Sequence, residues 1–365
     1  MKTNKVIFLA LGLLTMLGVS FQQAKAVTFT HPVIELQARP GERVVKTVKI
    51  FNETDSPILL YAVRLNFKAQ GTEGQAGFEE VVEGDGVVDL ASWIENSVPN
   101  GLALKPQERK EVDIIINVPQ FADPGGHYAA FLWTPEPPKQ EEGSTVQLSY
   151  RTGHLILLTV AGEVKEEANL DTFRIKENRK LFNHLPVDFE TLLNNTGNVH
   201  VKPVGQIEIK NLIGRTEDMV TINDKGGNVL PKSARLYKAS WMKAEKQYEG
   251  TGIWADLIRE KENFALGRYV AKMTLMYGVN NQKAIHSQVV FWVFPWRVMT
   301  VVTFIGLIIL LLLIIGIKKY NHLIAVKEEN KIQEEEARIK QLEAEVQTLK
   351  KSKKDSNDKA DMGSV

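Results

Sequence analysis

The 365-residue chain contains no cysteine. Disulfides, thiol nucleophiles and Cys-based zinc sites are excluded, and a chain of this length must rest on ordinary core packing. Exported eukaryotic sandwiches often carry Cys pairs, so the absence fits a bacterial surface. Catalytic motifs are also missing. There is no G-x-S-x-G, no supported S-x-x-K, and no GKS/T after the glycine-bearing turns "NTGN" and "GGN". The seven histidines, His31, His127, His154, His184, His200, His286 and His322, form no i, i+4 pair that would place two ligands on one helix face. Asp85 and Asp89 in "EGDGVVD" flank glycines but lack the oxygen set of a calcium loop, and an acidic turn is the plainer reading. No enzyme, cofactor or metal is expected.

Large charge of either sign is lacking too. The net charge is +1, and removing Lys2, Lys5 and Lys25 takes it to −2. Residues 318–365 hold 11 basic and 10 acidic side chains, leaving about −3 on the part before them, which is no footprint for nucleic acid.

Two long apolar runs are present. "MKTNKVIFLALGLLTMLGVSFQQAKA" (1–26) has a positive start, an apolar core from Val6 to Val19 and the small-residue signal Ala24-Lys25-Ala26. That order predicts a secretory signal peptide, with an uncleaved anchor as the alternative. "VMTVVTFIGLIILLLLIIGI" (298–317) carries no charge and has the length of a transmembrane helix. Trp292, Trp296 and Arg297 before it and Lys318 and Lys319 after it are expected interface anchors. Lys318, Lys319, Lys327 and Lys331 outnumber Lys283 and Arg297, which predicts a plasma-membrane protein with its N-terminal part outside and its C-terminus cytoplasmic.

Between the runs, alternation of period two dominates. Leu59, Tyr61, Val63, Leu65 and Phe67 share a parity, as do Val112, Ile114, Ile116 and Val118. In "VQLSYRTGHLILLTV", Val146, Leu148, Tyr150, Ile156, Leu158 and Val160 share another. "YAAFLW" splits into Ala130 and Leu132 on one face and Ala129, Phe131 and Trp133 on the other. Turn signals such as "RPGE", "NETDSP" and "ADPGG" separate the strands. The pattern predicts a mainly β chain with two immunoglobulin-like β-sandwich domains, 27–161 and 172–295, joined by a polar linker, 162–171. Each half opens on strands around an Asn-containing turn, and each has a late Gly-aromatic strand, "GGHYAAFLW" and "LGRYVAKMTL". "TGIWADLIREKENF" reads as a helix or as a strand plus loop. Trp93, Trp241 and Trp254 have no assignable parity, and stacking on a glycan is open for each.

Residues 318–365 read as a charged helix with a disordered end. Ile332, Ile339 and Val346 are seven apart, with Leu342 and Leu349 at the partnering positions. Upstream, Glu328 and Glu335 fall on the seam, so the coiled coil is weak. Self-association through 332–349 and a solitary helix both fit.

Several stretches resemble the WxL-interacting proteins of Gram-positive bacteria. They are "ARPGERVVKTVKIFNET" (38–54), "VPQFADPGGHYAAFLW" (118–133), "PKSARLYKASW" (231–241) and "FALGRYVAKMTLMYG" (264–278). The resemblance covers about residues 27–317. It implies a membrane-anchored double β-sandwich whose first domain binds peptidoglycan and whose second binds a host or partner protein. The long tail departs from that family. The expected function is non-covalent binding of an envelope protein or cell-wall polymer, or else envelope assembly or signalling through the tail. The candidate binding loop comprises His127, Tyr128, Pro135, Pro137 and Pro138.

Overall fold

The computed structural model describes residues 27–80, 89–135, 151–244 and 250–361. The expected leader, most of the acidic turn 83–89, Pro137, Pro138 and residues 146–150 lie outside the described residues. The fold is mainly β-sheet, with one long apolar helix at the C-terminal end.

Residues 27–160 build two facing sheets. The smaller has the order Val27–Phe29, Arg43–Asn52, Arg109–Asn117, Ile94–Glu95. The larger has the order Val33–Ala38, Thr152–Val160, Gly125–Thr134, Ile58–Gln70, Gln75–Glu79, with Leu102–Leu104 also paired to Ile58–Gln70. Residues 168–293 repeat this plan. Ala168–Ile175, Val187–Asn195 and Ser233–Trp241 form one sheet. Leu181–Phe182, Lys283–Val293, Gly267–Tyr277, Val204–Lys210 and Thr216–Ile222 form the other, in that order. In each larger sheet a short edge strand runs parallel to its neighbour, Val33–Ala38 on Thr152–Val160 and Leu181–Phe182 on Lys283–Val293. The remaining pairs are antiparallel. This is the strand order of an immunoglobulin-type sandwich.

Alternation creates the cores. Val112, Ile114, Ile116, Ala129, Phe131, Trp133, Ile156, Leu158 and Val160 meet between the first two sheets. Each such aliphatic side chain contributes about 2 kcal/mol on leaving water. Between the second two sheets, Trp241 lies edge-on to Tyr269 and Phe291 at 5.0 and 5.9 Å. Trp93 and Trp241 are therefore core residues, while Trp254 is exposed.

A buried asparagine recurs where each half turns after its opening strands. Asn52 Nδ2 donates to Ser56 O at 2.9 Å and to Lys105 O at 2.9 Å, and Asn52 Oδ1 accepts from Thr54 N at 3.0 Å. Asn195 Nδ2 donates to Val199 O and Val229 O at 2.8 Å each, and its Oδ1 accepts from Gly197 N at 2.9 Å. Both side chains close their own turn and tie it to a later loop, so that backbone carbonyls enclosed there are not left unpaired.

The structure refines the sequence reading at three places. The face carrying Leu59, Tyr61, Val63, Leu65 and Phe67 is the outer face of its sheet; Leu60 and Ala62 point to the main core. The 162–171 linker is shorter than expected, because Ala168 already pairs with Asn195 across the sheet. The ambiguous 251–264 stretch contains a helix, Ile253–Glu262.

All four sheets belong to one compact unit, and residues 244–265 and the C-terminal helix belong to another. That helix, Trp296–Asp361, runs 66 residues, about 100 Å at 1.5 Å per residue. Its apolar part is long enough to cross a membrane by length and composition. Farther along, Ile332, Ile339, Leu342, Val346 and Leu349 are all exposed.

Candidate functional site: a charged-rimmed cleft

Both faces of the larger 27–160 sheet are apolar. Val63, Leu65, Phe67, Tyr128, Ala130, Leu132, Leu155 and Leu157 form a second cluster on its outer side, joined by Leu230. The local cause is composition. "LLYAV", "HYAAFLW" and "HLILLTV" place apolar residues at consecutive positions, and such strands are covered on both faces.

Part of this outer face floors a cleft of about 730 Å³, within the ~300–1,000 Å³ range of ligand sites. Phe67, Ala76, Leu155 and Leu157 line it from the sheet, and Lys202, Asn228, Leu230 and Arg235 line it from residues 202–235. At its rim, Lys202 Nζ lies 2.8 Å from Glu35 Oε1, and Asn228 Nδ2 donates to the same oxygen at 2.8 Å. Burial works to raise the Glu35 carboxyl, but the Lys202 and Asn228 hydrogen bonds and the Lys202 charge outweigh it and hold the group below its ordinary value. Asn228 Oδ1 is buried without a partner among the described residues. Arg235 donates to Asn228 O at 2.8 Å. Neither Arg235 nor Lys225 forms an ion pair with a carboxylate among the described residues. The lining therefore carries three cations, Lys202, Lys225 and Arg235, against one carboxylate, Glu35.

The candidate loop is divided by the structure. His127 and Tyr128 start the Gly125–Thr134 strand, while Pro135 follows its far end, roughly 25 Å away at about 3.3 Å per residue. His127 Nε2 lies 2.8 Å from Asp123 O, and its ring packs on Trp93 with centroids 4.6 Å apart. Tyr128 points the opposite way; its hydroxyl lies 3.3 Å from His200 Nδ1. Burial pushes the Tyr128 phenol up and the His200 imidazole down. The neighbouring turn is occupied from within. Gly126 N donates to Asn198 O at 2.8 Å, and Asn198 Nδ2 donates to Pro124 O at 3.4 Å and Glu163 O at 2.9 Å. Gly125, at φ +124°, leaves no room for a Cβ, which would stand 2.7 Å from Asn198 O.

The expected interface anchors also differ among themselves. Trp292 and Trp296 are half exposed, and Lys318 and Lys319 are exposed. Arg297 instead forms ion pairs with Asp256 and Glu260 at 2.9 Å each.

Glu35, Lys202, Asn228 and Arg235 escaped sequence reasoning because they are brought together across about two hundred positions without a motif. The doubly apolar strands were the available signal. Among the described residues, no group of three His, Cys, Asp or Glu is placed to hold a metal. The site offers an apolar floor and excess positive charge. This is equipment for non-covalent binding.

No family model matches the chain, and no curated protein sequence matches it. Solved structures are similar at low scores. The class 5 fimbriae chaperone CfaA is 11% identical, with 72% of this chain and 98% of that one covered and a TM-score of 0.36. The Pseudomonas aeruginosa CupB2 chaperone is 11% identical over 72% and 98%, TM-score 0.31. The E. coli chaperone DraB is 12% identical over 73% and 99%, TM-score 0.30. Likeness of this degree carries no inference about function or partner. The chain's own strand order and cleft define its class: a mainly β, sandwich-built protein with a long apolar C-terminal helix.

Proposed function

We propose that the chain is a single-pass membrane-tethered binding protein whose cleft takes an extended polypeptide segment carrying an acidic group. The observation that carries this reading is the apolar floor of Phe67, Leu155 and Leu157 beneath the cationic Lys202, Lys225 and Arg235. A peptide with apolar side chains on one face fits the floor. Its carboxylate meets the cationic surplus. The 298–317 run is read as the tether, and the excess of lysines after it supports an orientation with the sheets outside. The resemblance to WxL-interacting proteins supports an envelope partner. Wall polymer is the less favoured partner, since the floor is aliphatic and presents one aromatic ring, Phe67, for stacking.

The test is a photo-reactive residue introduced in place of Leu157 in the full-length chain, in its native envelope. Crosslinking to a polypeptide, abolished by Arg235→Glu with Lys225→Glu, is the expected result. Crosslinks to glycan alone, or none from a folded protein, would overturn the proposal.

A further inference from the structure

The Ile253–Glu262 helix is amphipathic in an inverted sense. At 100° per residue, Ile253, Leu257, Trp254 and Ile258 fall within a 140° arc. Asp256, Arg259 and Asn263 fall on the other side, and Glu260 lies at the boundary between the two, about 20° from Ile253. It is the polar side that packs inward. Glu260 is 0% exposed, and its Oε2 accepts from the backbone N–H groups of Arg297 at 2.9 Å and Val298 at 3.1 Å. Its Oε1 accepts from the Arg297 guanidinium at 2.9 Å, and Asp256 Oδ2 holds the same guanidinium at 2.9 Å. Glu260 thereby satisfies orphan N–H groups at the start of the long helix and meets the positive end of its dipole. The first turn of the apolar side is left outside: Ile253 is 78% and Trp254 79% exposed, while Leu257 and Ile258 are half-buried.

A helix that turns Asp and Glu towards its own protein and Trp and Ile outward is unsuited to water, and its position supplies the alternative solvent. Glu260 binds the N–H of Val298, and Val298 is the first residue of the uncharged run 298–317. The clasp therefore fixes the short helix at the level where the long one enters the hydrocarbon. We propose that the Ile253–Glu262 helix lies in the membrane interface, with Ile253 and Trp254 seated among the lipid headgroups and upper acyl chains. Trp and Ile suit that depth, and Lys261 extends from the same side, as lysines do towards headgroups. The span would thus be buttressed on its entry side by a helix lying in the bilayer surface. This inference rests on reading 298–317 as a membrane span.

Because the chain has no cysteine, single cysteines report cleanly. The full-length chain, reconstituted in phosphatidylcholine vesicles, is labelled with an environment-sensitive dye at Trp254→Cys, Glu262→Cys or Leu310→Cys. Quenchers are placed at shallow or deep positions of the lipid chains. The label at 254 is expected to be quenched at least about twofold more by the shallow quencher than by the deep one. The label at 310 should favour the deep quencher, and the label at 262 should respond to neither. Quenching at 310 with a water-like, unquenched 254 overturns the inference and leaves the span intact. An unquenched 310 overturns the span and the inference together. Unlabelled Trp254→Ser gives a second readout: amide exchange in 253–262 should accelerate about tenfold in vesicles, and unchanged exchange also overturns the proposal.

Discussion

The two sandwich halves share a framework and diverge on one face. Gly125 and Gly267 open equivalent strands at φ +124° and +112°, so Ala129, Phe131 and Trp133 correspond to Ala271, Met273 and Leu275, all of them buried. The outer positions do not correspond in character. Ala130 and Leu132 match Lys272 and Thr274, and in the next strand Leu155 matches Gln288. One sheet is built to be covered; its counterpart is built to be wet. The duplicated parts, inward residues and buried asparagines, are those folding requires. The altered part is where the first half bears its cleft, which separates the residues that hold the framework from those that use it.

The largest test addresses the shared part. Asn52→Ala and Asn195→Ala should each destabilise the chain by about 2–3 kcal/mol, since each leaves enclosed carbonyls unpaired. Denaturant unfolding of both variants checks this. A loss at one site with none at the other would break the equivalence.

The next test addresses the divergence. Leu132→Ala should cost about 2 kcal/mol, the low end for a buried leucine on a partly open face, and Thr274→Ala less than about 0.5 kcal/mol. Equal costs would show that the two outer faces are not differently covered.

The smallest effect concerns pH. His154 is fully buried in the first half, where the second half has Ser287. Burial lowers its imidazole, although the hydrogen bond to His31 O at 2.9 Å opposes this. The unfolded chain therefore takes up a proton near the ordinary histidine value, while the folded chain resists until lower pH. Stability is lost as pH falls through that window and is regained above it. Thermal melting of His154→Asn should fall less steeply between about pH 7 and 5 than that of the parent. Part of the slope that remains belongs to His200, which burial also lowers. An unchanged slope would remove His154 from the account.

Much of the framework was legible in the sequence. The parities of Val112 to Val118 and of Ala129 to Trp133 are those of the structure, because a strand's faces follow from its own residues. Which face looked into the sandwich was not legible for 59–67, since Leu60 and Leu59 are equally apolar and only pairing partners decide. The cleft was hidden for the same reason: Glu35 meets Lys202 through tertiary structure alone. Arg297 read as a headgroup anchor because its neighbour in sequence is the span. Its carboxylate partners, Asp256 and Glu260, come from a helix some forty residues earlier.

The Trp296–Asp361 helix contains no proline and continues unbroken past the apolar run. Each residue turns the chain by about 100°, so the azimuth of the Ile332–Leu349 seam is set by counting residues from Arg297. One residue inserted near position 325 swings the seam by about 100°, and seven return it to within about 20° of its original bearing. With Arg297 clasped by Asp256 and Glu260, the helix is a shaft of fixed phase. Whatever twists its held end re-aims the seam at the other.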